Sequence, residues 1–310
     1  MKLGRAIHLL KDSNCYALAS NTCHFKWPNI RDGSGSAMSI PCFDTSSVKS
    51  GSRTLLTVMH GRAGYNDLPL LLLYTGRIIH SKLIDQLRSC NGKIFNSCQP
   101  DIYSAIAIGR ACNRFVYTDR PFAISGVSKH SNGGTTWDKE TFEPKGHAAI
   151  FMNEDNIPIH HQIPSVWNGK PPPFVPALVY ESYLKSSILG GDIFEINAAQ
   201  QAALFAYHKH SNHPLIKNWR QSFEKINSLN ETELSKRNYL IHLRFGMEPF
   251  SGLLKNLASR YRFNDDELSP VHTVFDAGIV AATVLATRPS LMKSYAKTVL
   301  KRFDLISGSV

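Results

Sequence analysis

The sequence lacks the short motifs by which the most frequent nucleotide and metal sites are recognised. Neither G-x-G-x-x-G nor G-x-x-x-x-G-K-[ST] occurs near its start, so neither of the two common phosphate-binding loops is predicted there. Its six cysteines include no C-x-x-C pair, which leaves a structural zinc site with little support. Six reduced thiols in a cytosolic protein are the plainer interpretation.

Long apolar runs and concentrated charge are missing as well. No stretch of about 18 consecutive apolar residues occurs, so the sequence predicts no transmembrane helix, and its first residues are too charged for a signal peptide. The net charge is +11, without a run of five Lys or Arg residues. This charge favours anionic partners, and its scatter argues against a nucleic-acid-binding patch. We therefore expect a cytoplasmic protein that does not bind nucleic acid.

The composition that is present belongs to a globular protein. With 310 residues, 43% of them hydrophobic, the chain can bury a sizeable core in one or two domains. In its first half strand and helix patterns alternate, which predicts an α/β layer. Residues rich in Pro, Gly, Ser and Asp predict a long loop over 28–53. The predicted helices are 3–10, 65–90 and 102–112, and the predicted strands are 15–20, 94–98, 114–118 and 122–127.

The pattern changes after residue 150. Several prolines punctuate a connection over 158–173. Helical patterns follow, and they continue to the end of the chain; the first three are 177–189, 193–208 and 213–226. We therefore predict an α/β domain over 1–150 and a mostly helical extension over 151–310.

One segment combines residues that can carry chemistry. The predicted strand at 94–98 ends in Pro100-Asp101, where a helix begins, and the strand at 122–127 runs into a loop rich in Gly, Ser, His and Asn. A carboxylate at such a turn can take a proton from a hydroxylated substrate. Capping of the helix at Ile102 is the alternative role of Asp101, and the two roles can coexist.

Four pieces of the sequence carry a family resemblance: WPN (27–29), YNDLP (65–69), FNSCQPDIYSA (95–105) and ISGVSKHSNG (124–133). Together they resemble bacterial family 2 glycosyltransferases, most of all those of polysaccharide and capsule gene clusters. The resemblance covers about residues 1–140, together with a loosely similar helical tail, and no single piece would suffice. It implies a GT-A-type α/β fold, a nucleotide-sugar donor, a polysaccharide or lipid-linked glycan acceptor, and inverting transfer. It also suggests peripheral attachment to the inner membrane face.

The resemblance implies a further part that this sequence does not match. In the family a nucleotide-binding half comes first and ends in a D-x-D-like motif, which holds a divalent metal (Mg or Mn) on the donor diphosphate. Residues 2–10 match the helix after that motif. We therefore expect the acceptor-side half of a GT-A-like mixed sheet, from a truncated reading frame or with an upstream partner chain. A non-catalytic half-domain that binds an acceptor or a partner chain is the alternative.

The resemblance also suggests site residues. It places the catalytic base at Asp101, with Asp67 as second choice. Most ligands of the metal are missing from this chain, and the resemblance suggests His130 as one that is present. Candidates for binding the substrate are Tyr103, Ser128, His130, Ser131 and Asn132. The last four can hydrogen-bond sugar hydroxyls or phosphate, with a polar surface turn as the alternative. Tyr103 can stack on a sugar ring, with core packing as the alternative. Histidine spacing elsewhere gives little support to a metal site.

Overall fold

The structure is a computed structural model. It describes residues 3–28, 36–52, 54–55, 76–128, 159–165, 175–190, 214–227, 260–263 and 273–287, together with residues 71, 73, 150, 154, 196, 199, 200 and 271. Within these residues the chain forms six α-helices and eight strands, and the strands make two mixed four-stranded sheets. The predicted α/β class is therefore confirmed.

The helices are α1 (Leu3–Asp12), α2 (Ser81–Asn91), α3 (Pro100–Ala111), α4 (Val175–Lys185), α5 (Pro214–Ile226) and α6 (Val274–Ala286), and a 3-10 helix (Ser186–Leu189) follows α4. The strands are β1 (Ala17–Ser20), β2 (Cys23–Lys26), β3 (Ala37–Pro41), β4 (Ser46–Ser50), β5 (Arg77–Ile79), β6 (Arg114–Thr118), β7 (Ile124–Val127) and β8 (Arg260–Phe263).

Two parallel segments of the chain run from one sheet into the other. Sheet 1 has the order β4-β6-β1-β5, with β1 parallel to β6 and both outer strands antiparallel to their neighbours. Sheet 2 has the order β7-β2-β3-β8, with β2 parallel to β7. β1 passes into β2 through Asn21 and Thr22, and β6 passes into β7 through residues 119–123. The same parallel pair therefore leaves sheet 1 and enters sheet 2.

Sheet 1 is covered by helices on both faces. All four residues of β1 are buried, as expected for a strand enclosed on two sides. Ala17 and Ala19 pack with α2 and α3, whereas Leu18 packs with α1 through Ala6. The small alanine side chains let α3 come close to the sheet.

Sheet 2 buries an apolar face against α6. Phe25, Met38 and Ile40 form its core with three residues of α6 at helical spacing: Ala277, Ala281 and Val284. Met38 and Ile40 alternate with the partly exposed Ala37 and Ser39, which is the pattern of a strand with one buried face. Most described residues after 175 are helical, as predicted, but β8 is a strand and pairs with β3. The domain boundary at residue 150 stays a prediction.

Several predicted elements are confirmed, with shifts of a few residues at their ends. α1, α3, α4 and α5 lie where helices were expected, and β1, β6 and β7 where strands were expected. α2 ends at Gly92, whose φ of 66° is left-handed. Such a φ suits glycine because it has no Cβ to clash.

Three predictions are wrong in the described residues. Residues 94–98 form bends and irregular backbone instead of a strand. Residues 28–53, predicted as a loop, contain β3 and β4, and the polar sequence of β4 reflects its exposed position at the edge of sheet 1. Residues 77–79, predicted as helix, form β5, and α2 starts only at Ser81. The apolar spacing around them fits both a helix and a short strand, and β5 is in fact a partly buried strand. Periodicity alone cannot separate the two in so short a run.

Candidate functional site at the carboxyl edge of sheet 1

The start of α3 lies near the edge at which the parallel strands of sheet 1 end. α3 is linked to β6 by only Cys112 and Asn113 and packs on the sheet, so it runs back against the direction of β6. The backbone N–H of Leu73 donates to Ser104 Oγ in α3 (3.3 Å). Three residues later, the Gly76 carbonyl accepts from the backbone N–H of Ser20 at the end of β1 (2.8 Å). Sites of α/β proteins commonly lie at this carboxyl edge.

Asp101 lies in the first turn of α3, after Pro100 at the first helical position. Its side chain is half-buried, and its Oδ1 accepts a hydrogen bond from the backbone N–H of Ile102 (2.8 Å). The bond satisfies one of the N–H groups that a helix start leaves without a partner. A negative charge is also favourable there because of the helix dipole. The bond expected for a capping role is therefore present, although Gln99 and not Asp101 occupies the N-cap position.

The edge beside α3 is polar and closely packed. Ser20 and Thr118, the last residues of β1 and β6, are buried. Gly76 has a φ of 67°, and a Cβ at this position would lie 2.7 Å from Ser20 Oγ. The Arg77 guanidinium donates from Nη1 to the carbonyls of Ser20 (2.6 Å) and Gly76 (3.0 Å). The backbone of this edge is thus fixed by side-chain contacts.

Arg77 is a cation within this polar edge that the sequence analysis did not identify. Burial lowers the pKa of Arg77 to about 10, against an opposing effect of Tyr117, so the guanidinium remains charged at neutral pH. Arg77 was missed because the spacing of the surrounding leucines and isoleucines predicted a helix over 65–90.

A buried polar cluster lies directly before α3. The Glu181 side chain of α4 is fully buried, and its Oε1 lies 3.4 Å from the Lys185 ammonium. Its Oε2 accepts from the hydroxyl of Ser97, which also lies 3.1 Å from Ser182 Oγ. Burial raises the pKa of Glu181, while Ser97 and Lys185 oppose the shift. Burial and the Glu181 charge raise the pKa of Cys98 to about 12. No local sequence pattern indicates this cluster.

The proposed substrate residues are placed unequally. Tyr103 is 1% exposed and belongs to the core between sheet 1 and its helices, which favours the core-packing alternative over stacking on a sugar. Ser128 is half-exposed and follows β7. It therefore stands on sheet 2, whereas Asp101 stands beside sheet 1. The other predicted site residues lie outside the described residues: Asp67, His130, Ser131 and Asn132.

Metal-binding groups are scarce in the described part of the chain. No three His, Cys, Asp or Glu side chains there are grouped so that they could hold a metal ion. His160 and His161 stack on each other, with ring centroids 4.3 Å apart. Burial, and then the neighbouring His161 and Lys185, lower the pKa of His160. The described residues do not fit a divalent metal, so no chemical step is assigned to one.

Comparison with known proteins adds no assignment to this site. A scan against protein-family models, a search of curated proteins and a search of solved structures each found no match for this chain. None of the helices among the described residues is long and apolar enough to cross a membrane. Any functional conclusion therefore depends on the site and on the resemblance of its sequence segments.

Proposed function

We propose that this chain is the acceptor-side part of a GT-A-like glycosyltransferase, similar to family 2 and inverting. One observation carries the proposal: a half-buried carboxylate, Asp101, lies in the first turn of a helix at the carboxyl edge of a mixed sheet. The sequence segments around it are those that resemble the family. The substrates proposed on this basis are a nucleotide-sugar donor and a polysaccharide or lipid-linked glycan acceptor.

Asp101 has the chemistry for the step assigned to it. In an inverting transfer an acceptor hydroxyl attacks the anomeric carbon while the nucleoside diphosphate leaves. A carboxylate within hydrogen-bond reach of that hydroxyl takes its proton. The bond from Ile102 N–H to Oδ1 orients the carboxylate and does not prevent it from accepting a further bond, because a carboxylate offers about four acceptor positions.

The donor side of the reaction is proposed to lie outside the described residues. An upstream partner chain, or other residues of this protein, would bind the nucleotide diphosphate and the divalent metal. The proposed location is the cytoplasm, at the inner membrane face when the acceptor is lipid-linked. The net charge of +11 supports such attachment, since basic proteins are attracted to anionic lipid surfaces.

The decisive experiment replaces Asp101 by Asn. The chain is assayed alone and together with the product of the gene immediately upstream, with UDP- and GDP-sugars, Mn²⁺ and a panel of glycan acceptors. We expect Asp101→Asn to lower transfer by about 10²–10⁴-fold, the usual contribution of a general base. Stability should hardly change, because Asn can accept the same bond from Ile102. Asp101→Ala should in addition cost about 1 kcal/mol of unfolding free energy.

Asp85→Asn is the matched control. Asp85 is an exposed carboxylate on α2, 3.9 Å from Arg88, so this variant removes the same charge away from the site. Near-normal transfer by Asp101→Asn would reduce Asp101 to a structural residue. Glycan binding without transfer, equal in wild type and Asp101→Asn, would instead support the non-catalytic half-domain.

The affinity for nucleotide-sugars tests whether the donor site lies outside this chain. The chain alone should bind UDP- and GDP-sugars with Mn²⁺ more weakly than about 10 μM, or roughly −7 kcal/mol. Isothermal titration measures this directly. Tighter binding would place the donor site within this chain.

A further inference from the structure

Two residues of the turn that leads into α3 are buried although the turn has no regular structure. Residues 92–99 form no helix or strand, yet Ser97 is fully buried and Cys98 is 9% exposed. Within the described part of the chain, the Gln99 side chain makes no capping bond to α3. The position at which α3 begins must therefore be set by other contacts.

A chain of hydrogen bonds connects Glu181 to the first turn of α3. Ser97 Oγ donates to Glu181 Oε2 and accepts from the backbone N–H of Gln99 (3.3 Å). The Gln99 carbonyl then accepts from the backbone N–H of Tyr103 (2.9 Å), which is a first-turn bond of α3. Asp101 lies inside that turn. These bonds thus link Ser97 to the backbone that carries Asp101.

α4 also holds the far end of α3. Arg110, in the last turn of α3, donates from Nη1 to the Tyr183 carbonyl of α4 (3.2 Å). Its guanidinium lies 5.4 Å from the centroid of the Tyr183 ring, a distance at which a cation and an aromatic face attract each other. α4 thus holds α3 at both ends, through Glu181 and Ser97 at its start and through Tyr183 and Arg110 at its end. Only the contact at the start involves the turn before Asp101.

We propose that Glu181 is a positioning residue, which fixes Ser97 and thereby the place of Asp101. The catalytic part of this inference rests on the proposed function of Asp101. The contacts of Glu181 and Ser97 are present whatever that function is. A buried ion pair is a costly way to stabilise a fold, and apolar replacements of such pairs are often neutral or stabilising. The burial of the Glu181–Lys185 pair is better explained by a positioning role. Glu181 accepts the hydrogen bond of Ser97, and Lys185 offsets the buried charge of Glu181.

Two double variants separate the acceptor from the charge. Glu181→Gln with Lys185→Met keeps an oxygen that can accept from Ser97, whereas Glu181→Leu with Lys185→Met keeps only the approximate volume. Both remove the same two charges, so the effect of Glu181 on the Cys98 thiol is lost equally in both. Any difference between them reports the hydrogen bond to Ser97.

Alkylation of Cys98, read by peptide mass spectrometry, measures how firmly the turn is held. Exposed Cys90 is the internal reference, and buried Cys15 and Cys112 report whether the variant is folded. We expect the Leu/Met variant to label Cys98 about tenfold faster than the Gln/Met variant, the effect of about 1.4 kcal/mol when a buried hydrogen bond is lost. Ser97→Ala, which deletes the hydroxyl itself, serves as the second probe if the Leu/Met variant fails to fold.

The outcomes distinguish this proposal from the proposed function. Equal Cys98 labelling in the two folded double variants, or wild-type labelling in Ser97→Ala, would overturn the positioning role. In the transfer assay the Leu/Met variant should lower kcat with little change in KM, and the Gln/Met variant should restore kcat. Faster labelling of the Leu/Met variant with unchanged kcat would confirm that Glu181 holds the turn and would count against Asp101 as the base.

Discussion

The same two parallel chain segments run through both sheets, but the sheets differ in the residues that surround them. Sheet 1 is enclosed by α1 on one face and by α2 and α3 on the other. Its carboxyl edge carries buried hydroxyls and the Arg77 guanidinium. Sheet 2 gathers Phe25, Met38 and Ile40 against the apolar face of α6. Among the described residues, most of the polar groups of the candidate site thus lie around sheet 1, with Ser128 on sheet 2 as an exception, whereas sheet 2 packs its apolar core against α6.

The sheets also differ in how far apart their strands lie in the sequence. The strands of sheet 1 all come from residues 17–118. Sheet 2 takes β2 and β3 from the same region, β7 from residues 124–127 and β8 from residues 260–263. We therefore expect sheet 1 to be the more independent unit, and the following predictions test that difference.

Truncation of one core phenylalanine in each sheet should have the largest effect. Phe115→Ala in sheet 1 and Phe25→Ala in sheet 2 should each cost about 3–5 kcal/mol of unfolding free energy. Both side chains are 1% exposed, so the pair is matched. In hydrogen exchange, Phe25→Ala should reduce protection in β2, β3 and β8 more than in sheet 1. Phe115→Ala should reduce it in both, because the parallel pair of sheet 2 continues that of sheet 1. Equal loss in both sheets from Phe25→Ala would show that they unfold as one unit.

The next effect concerns the edge of sheet 1. Gly76 and Gly92 both have a left-handed φ, but a Cβ on Gly92 would meet no atom within 4 Å. Gly92→Ala should therefore cost only the left-handed strain, about 1 kcal/mol. Gly76→Ala adds the clash with Ser20 Oγ and should cost about 2–3 kcal/mol. Urea unfolding measures both, and similar values would show that the edge can relax.

The third comparison concerns the starts of two helices. α6 begins with a capping box in which Thr273 Oγ1 accepts from the Asp276 N–H (3.1 Å) and Asp276 Oδ2 accepts from the Thr273 N–H (2.8 Å). Thr273→Ala should cost about 1 kcal/mol. Gln99→Ala, at the start of α3, should change stability by less than about 0.5 kcal/mol. A larger cost at Gln99 would contradict the view that Ser97 and Glu181 determine the start of α3.

The smallest effect is a dependence on pH near α4. The lowered pKa of His160 means that the folded state favours the neutral imidazole. As pH falls through the unfolded value of about 6.5, protonation favours the unfolded chain and wild type loses stability. His160→Gln lacks this loss, so its unfolding free energy should rise relative to wild type between pH 7.5 and 5.5. A constant difference between the two proteins would contradict the burial of His160.

Local patterns were sufficient to predict part of this fold. β1 and β6 are short apolar runs between polar residues, and Gly92 ends α2 as its sequence predicts. Asp101 was found because a Pro-Asp step before a helical pattern is itself local. The sequence therefore predicted most of the elements around sheet 1 and one residue of the candidate site.

The missing parts depend on partners that are distant in the sequence. Glu181 accepts a hydrogen bond from Ser97, which lies 84 residues earlier in the chain. The sequence around either residue does not predict this contact. β3 was assigned to a loop because its pairing with β8 is invisible in its own composition. β4 is a polar edge strand, whose Ser and Lys residues resemble a loop. Tertiary contacts, rather than local preference, decide these elements.

The late position of β8 has a consequence for protein synthesis. β3 ends at Pro41 and β8 begins at Arg260. At about 5–20 residues per second, a ribosome needs on the order of ten to forty seconds to translate the chain between them. During that time the nascent β3 offers an open edge, which is a known template for aggregation. Expression at lower temperature or with more chaperone should therefore improve the yield of soluble protein more than core substitutions in sheet 1 do.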